Sequence, residues 1–176
     1  MKIKTNKKIG KILRERAALL QVSDEEQTDL GDFFEGLVFM LSNEKYAIDA
    51  TFVNEVISVS DITPLPGTPS FLVGIINLRG KILSVIDIKS FFNLNQTQKT
   101  SKNKILIVNY NGIELGIVTD DIIGNSRIYL DKLQKKLSAV LGFPEHKVIG
   151  VSNENLIVLD IKKMLLDEKL IINEEI

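Results

Sequence analysis

The octet Val85-Ile86-Asp87-Ile88-Lys89-Ser90-Phe91-Phe92 returns later in the chain as Val158-Leu159-Asp160-Ile161-Lys162-Lys163-Met164-Leu165. In both copies an aliphatic run ends in an aspartate, and a short stretch of helical character follows. A carboxylate at such a junction accepts hydrogen bonds from the free amides of a first helical turn, which gives Asp87 and Asp160 a structural role. Upstream, each copy has a glycine-led apolar segment, Gly74-Ile75 in one and Gly150-Val151 in the other. Further upstream, each has a hairpin followed by an acid and two aliphatics, Glu55-Val56-Ile57 and Asp121-Ile122-Ile123. Two such copies predict two barrels of about five strands, each closing its own edges. Neither is large, so apolar faces are expected to meet between them in a shared core.

The remaining elements follow outward from the repeat. Leu37–Leu41 and Tyr46–Ala50 flank Ser42-Asn43-Glu44-Lys45, a hairpin pattern, and Val53–Val59 is a third strand. Thr63-Pro64-Leu65-Pro66-Gly67-Thr68-Pro69 holds three of the four prolines and reads as a stiff exposed loop. Leu72–Leu78 and Ile82–Ile88 face each other across Arg79-Gly80-Lys81. The polar run Asn93–Asn103 reads as a linker. Beyond it, Asn111-Gly112 joins Ile105–Tyr110 to Ile113–Val118, the strongest short hairpin signal, because both turn residues tolerate positive φ. Lys147–Val151 and Leu156–Ile161 make one more pair, and a short helix is expected over Lys162–Leu170.

The start of the chain differs in kind. Residues 1–16 hold seven Lys or Arg against Glu15, and residues 17–35 hold six acids and no base. Ile9, Ile12, Leu13, Ala17 and Leu20 recur at helical spacing, and Ser23 with Glu26 fits a capping box for a second helix. The fold expected is all-β with helices at both termini. Residues 1–33 form a helical extension, 34–170 the domain (first lobe 34–92, second lobe 104–166) and 171–176 a tail. Residues 1–30 bury little apolar surface and are expected to be dispensable for folding.

Composition excludes more than it selects. The chain of 176 residues carries a formal net charge of -1, so bulk electrostatics favour neither nucleic acid nor an anionic membrane. With no cysteine and a single histidine, His146, thiolate chemistry and a multi-histidine zinc site are both ruled out. Asp120-Asp121 is the best acid pair, yet neighbours on a strand point to opposite faces, and a solvated turn is the better reading. Glycines are scattered without dinucleotide or Walker spacing. Aromatic residues are 6% with no Trp, too few for a base-stacking face. No catalytic site and no cofactor are expected. The apolar run 17–20 is too short for a signal-peptide core, and no stretch is long enough to span a bilayer, so the chain reads as cytoplasmic.

One constellation stands out. The stiff loop leads into a hairpin that places Arg79 at its tip, beside Gly80, and Val53-Asn54-Glu55-Val56-Ile57 sets a carboxylate on an otherwise apolar strand. A glutamate among aliphatics needs a partner, and Arg79 can supply a forked one.

The run Thr63–Asp87, with Gly74-Ile75-Ile76-Asn77-Leu78-Arg79-Gly80, resembles the signature of CheW-type coupling proteins of bacterial chemosensory arrays. The likeness extends from Phe34 to Leu166, through Tyr46-Ala47-Ile48-Asp49 and Leu115-Gly116-Ile117-Val118-Thr119-Asp120. The resemblance implies two SH3-like five-stranded barrels around a common core and no catalytic activity. It also implies an adaptor that couples the cytoplasmic tips of methyl-accepting chemoreceptors to a CheA-type histidine kinase, cytoplasmic but associated with membrane receptor arrays. Other CheW-like domains in array rings are further implied partners; nucleic acid and direct membrane insertion are not. The receptor-binding positions it implies, in the groove between lobes, are Val53, Glu55, Val56, Gly74, Asn77, Arg79 and Gly80. For the kinase they are Ile117, Thr119, Ile122 and Ile123. Thr119-Asp120-Asp121-Ile122 departs mildly from the usual Val-Asp-Glu-Val. The rival readings are a nucleic-acid-binding small barrel, which needs a basic aromatic face, and a ligand-binding or enzymatic barrel, which needs convergent polar groups. Only Glu55 with Arg79 meets the second demand.

Overall fold

The computed structural model describes residues 31–58, 61–94, 104–135, 144 and 147–170. The expected helices before Gly31, most of the linker, His146 and the tail lie outside the described residues. The apolar runs become ten strands: β1 (Phe33–Leu41), β2 (Glu44–Asp49), β3 (Val53–Ser58), β4 (Leu72–Leu78), β5 (Lys81–Ile86), β6 (Lys104–Tyr110), β7 (Ile113–Thr119), β8 (Asp121–Tyr129), β9 (Val148–Val151) and β10 (Leu156–Leu159). Two short helices follow the repeated aspartates, α1 (Ile88–Phe91) after β5 and α2 (Ile161–Leu165) after β10. Strand β8, left unassigned by the sequence patterns beyond Ile123, runs straight through Gly124-Asn125-Ser126, residue types that favour turns. Its pairing with β1, from Phe33↔Tyr129 to Met40↔Asp121, overrides that preference. The helix expected over Lys162–Leu170 is shorter: α2 stops at Leu165, and a separate 3-10 turn covers Glu168–Leu170.

The strands form two five-stranded sheets, ordered β8-β1-β2-β10-β9 and β3-β6-β7-β5-β4. An isolated bridge joins the ends of each: Gln134↔Val151 in the first and Thr63↔Ile75 in the second. These are the two expected small barrels, and both share one strand plan in which β1–β5 correspond to β6–β10.

The division into a first lobe of 34–92 and a second of 104–166 is corrected by this order. Each barrel takes the first two strands of one repeat and the last three of the other. The cause lies in the pairing. β2 lies parallel to β10, and β7 parallel to β5. A parallel partner cannot be reached through a tight turn, so it must come from elsewhere in the chain. At the crossing point, the Asp49 carboxylate accepts from the Thr51 amide at 2.9 Å and starts a 3-10 turn, Ala50–Phe52, that carries the chain from one sheet to the other.

The core reflects this exchange. The largest described cluster has 21 buried residues and draws on both sheets, with Phe39, Tyr46 and Leu159 from one and Leu106, Val108 and Ile117 from the other. The clusters inside the barrels are smaller, with six buried residues around Val85 and four around Val158. Most of the buried apolar residues described therefore belong to the cluster shared by the two barrels. The repeated aspartates cap as expected: Asp87 accepts from the amides of Lys89 (2.9 Å) and Ser90 (3.3 Å), and Asp160 from Lys163 (3.2 Å). Two buried lysines are paired, as burial of a charge requires. Lys89 of α1 reaches Glu44 at 2.7 Å, and Lys147 meets Asp167 with its ammonium 4.7 Å from the Phe91 ring.

Candidate functional site

The β4–β5 hairpin turns through Arg79-Gly80, with φ of 51° and 86°. Positive φ at both positions matches the right-handed twist of the strands. The β6–β7 hairpin makes the same kind of turn with Asn111-Gly112, φ 51° and 80°. Asparagine tolerates that conformation, whereas arginine adopts it at a cost of about 1 kcal/mol or more. Asn77 holds the turn: its side-chain oxygen accepts from the Gly80 amide at 2.9 Å.

From this turn Arg79 reaches across to β3. Its two terminal nitrogens donate to the two Glu55 oxygens at 2.8 and 2.9 Å, a parallel fork. Glu55 lies opposite Ile107, a residue of the barrel interior, so it rises from the barrel's inner face at its end. A second ladder runs beside it, with Asn54 donating to Glu114 at 2.7 Å and Lys81 pairing with the other Glu114 oxygen at 3.4 Å. The Arg79 side chain is 77% exposed. Pairs so open to water stabilise by roughly 0–1 kcal/mol, about what the strained backbone gives back. Folding energy alone does not account for an arginine here.

The other residues of this group divide by burial. Val56 is exposed although it lies opposite Leu106 of the shared core, and Asn77 and Gly80 are exposed. Val53 is half-buried against the shared core. Gly74 is buried, and its role as a receptor contact is corrected. It has φ 151°, and a Cβ added to it would sit 2.4 Å from the Thr63 carbonyl oxygen, so its place is the barrel seam.

The second group is corrected more deeply. Ile117 and Thr119 are fully buried and present nothing to a partner. They sit on β7, the middle strand of its sheet, with neighbours on both edges and covered faces. The Thr119 hydroxyl has no hydrogen-bond partner among the described residues. Ile122 is half-buried and packs on the shared core, while Ile123 is 54% exposed. Ile123 bulges because β1 pairs Phe39 with Ile122 and Val38 with Gly124, skipping it. Asp120 is no solvated turn either: it accepts from the Ser42 amide at 2.6 Å and closes the β1–β2 hairpin.

Two exposed apolar residues escaped the sequence reading. Ile82 is 62% exposed and Ile113 38%, on the neighbouring strands β5 and β7. The sequence placed both in strands, Ile82–Ile88 and Ile113–Val118, without a face.

Among the described residues no cluster of His, Cys, Asp or Glu could hold a metal ion, and no helix is long and apolar enough to cross a membrane. The family model for the CheW-like domain matches residues 35–169. The chemotaxis protein CheW of Treponema pallidum is 30% identical over 168 residues, covering 92% of this chain and 95% of that protein. Its counterpart from Thermotoga maritima is 29% identical over 133 residues, covering 75% and 87%. Among solved structures, the scaffolding protein TtCheW from Thermoanaerobacter tengcongensis superposes with a TM-score of 0.62 at 32% identity, covering 72% of this chain and 88% of that one.

Proposed function

The chain belongs to the CheW-like domain family, and on that premise we propose that it is a non-catalytic adaptor coupling chemoreceptor cytoplasmic tips to a CheA-type histidine kinase. It works in the cytoplasm, beside the receptor arrays, and needs no cofactor. The observation that carries this reading is Arg79: strained in backbone, open to water and held in a fork by Glu55. An arginine presented in fixed geometry, with Ile82 exposed on the same hairpin, has the composition of an interface anchor flanked by apolar area. This hairpin is the receptor-facing surface. The kinase-facing surface is placed around the Ile123 bulge on β8, which belongs to the other barrel.

Two surfaces on different barrels act independently, provided they share no contacts. Arg79→Ala is expected to weaken co-sedimentation with receptor-rich membranes by about tenfold or more, with kinase capture unchanged. Ile123→Glu is expected to do the reverse. Either variant abolishes receptor control of the kinase in reconstituted membranes. Equal loss of both partners in both folded variants refutes the two-surface model.

A further inference from the structure

The seam that closes the second barrel lies between β3 and β4, and the Glu55–Arg79 fork joins β3 to the turn that follows β4. Thr63, five residues beyond β3, exchanges a reciprocal backbone pair with Ile75 of β4: each amide donates to the other's carbonyl at 2.9 Å. Gly74 stands directly before that pair. A Cβ there would lie 2.4 Å from the Thr63 oxygen and 2.8 Å from both the Thr63 carbonyl carbon and the Ile62 side chain. Two of these three neighbours are backbone atoms, which cannot swing aside as a flexible side chain can. The φ of 151° adds strain for any L side chain. A substituent at Gly74 therefore opens the seam.

The fork spans the same seam. Apart from the bridge at Thr63 and Ile75, the strand pairing of the described residues links β3 to β4 by the long way round, through β6, β7 and β5. Four residues after Ile75 the chain reaches Arg79, whose fork needs both nitrogens within 2.9 Å of Glu55. Buried at the seam, Gly74 offers no side chain to a partner, but it sets how near Arg79 comes to Glu55.

We infer that Gly74 is a positioning residue: its missing side chain lets the seam close so that Glu55 can hold Arg79 in the geometry a partner meets. The binding part of this inference rests on the function proposed above; the geometric part does not.

The other barrel supplies a matched control. Gly150 also precedes a closing pair, in which the Gln134 amide donates to Val151 at 2.9 Å and the Val151 amide to Gln134 at 3.2 Å. A Cβ on Gly150 would lie 2.8 Å from Leu133 Cβ. Among the described residues no ion pair crosses that seam, where Gly124 holds the position that Glu55 holds in the second barrel.

The test follows the Arg79 side-chain Nε–H resonance of the full chain by NMR. In the wild type, and in Gly150→Ala, Glu55→Gln is expected to shift this resonance. In Gly74→Ala the shift is expected to vanish, while dispersed amide signals show the fold intact. Receptor-membrane binding then falls by about tenfold or more in Gly74→Ala, with kinase capture and the Gly150→Ala variant unchanged. Should Gly74→Ala fail to fold, Thr63→Pro opens the seam from the opposite side by deleting the amide that donates to Ile75. Loss of the Glu55 response supports the inference, and a persisting response in a folded seam variant overturns it. Wild-type chain that binds no receptor membrane refutes the proposed function, while the resonance still decides the role of Gly74.

Discussion

The two barrels share a plan and differ at one end. Both close through a backbone pair beside a glycine, both end their last strand in a capping aspartate, and both lay that strand parallel to a hairpin of the other repeat. Their last hairpins diverge. Between Gly74 and its partner Val85 lie the ten residues 75–84, and between Gly150 and its partner Val158 only the seven residues 151–157. The extra length is the tip that carries Asn77, Arg79 and Gly80. Where the longer hairpin exposes Ile82, with Ile113 exposed on the next strand, the other barrel has Asn155 and Glu44, with Glu44 paired to Lys89. Positions held in common build the scaffold, and positions that differ carry the candidate binding surface. A duplicated fold needs its closure and caps twice and this hairpin tip once.

The interleaving of the repeats has the largest consequence. Polypeptides 1–94 and 95–176 each lack the strands that complete either barrel. Each alone is expected to show no cooperative unfolding, and mixing them should restore it, as followed by circular dichroism during urea titration. A cooperative transition in either piece alone would break the exchange of strands between repeats.

The caps come next. Asp87→Ala should destabilise by about 1–2 kcal/mol and Asp160→Ala by about 0.5–1 kcal/mol, at the two ends of the range for lost caps. The difference arises because Asp87 is buried and serves two amides, whereas Asp160 serves one from a less buried site. Equal urea midpoints would mean the copies are energetically equivalent.

A smaller effect separates the barrels by pH. Tyr46 and Leu115 occupy equivalent hairpin positions, and only Tyr46 titrates. Burial, and then the charge of Glu44, push the Tyr46 hydroxyl far above its ordinary value of 10.0. The unfolded chain loses this proton above about pH 10 and the folded chain keeps it, so its stabilisation is complete below that pH and declines as pH rises. Tyr46→Phe should flatten the decline between pH 9 and about 11 in equilibrium unfolding. An unchanged slope would assign the alkaline loss to other groups.

Arg79→Asn should change stability least, by no more than about 1 kcal/mol and in the stabilising direction, because relief of the left-handed strain offsets the lost surface pair. The Asn111 turn already shows this solution. A marked loss in thermal unfolding would make the fork structural and weaken its reading as a binding feature.

Much of this architecture could be read from local patterns. Asn111-Gly112 marks its turn, Asp87 and Asp160 mark their caps, and alternating aliphatics mark the strands, because each depends on the conformational preferences of a few adjacent residues. The Glu55–Arg79 fork was legible because a lone acid and a lone base stood in apolar surroundings. The alignment of the repeats was legible at β5 and β10 and misleading at β3 and β8. There the bulges at Asn54 and Ile123 equate Val53 with Ile122 and Glu55 with Gly124, instead of Glu55 with Asp121. Ile117 and Ile82 look alike in sequence, yet one is sealed in the middle of a sheet and the other stands in water.

By itself the sequence determined that the chain is a duplicated β protein, which residues turn and cap it, and which two charges belong together. Only the tertiary structure decided which strands share a barrel, which isoleucines remain exposed, and that Gly74 belongs to a seam. Periodicity states which face of a strand is apolar and leaves open what will cover it. That choice rests on parallel partners and closing bridges far apart in the chain, whose energies exist only once the whole sheet is assembled.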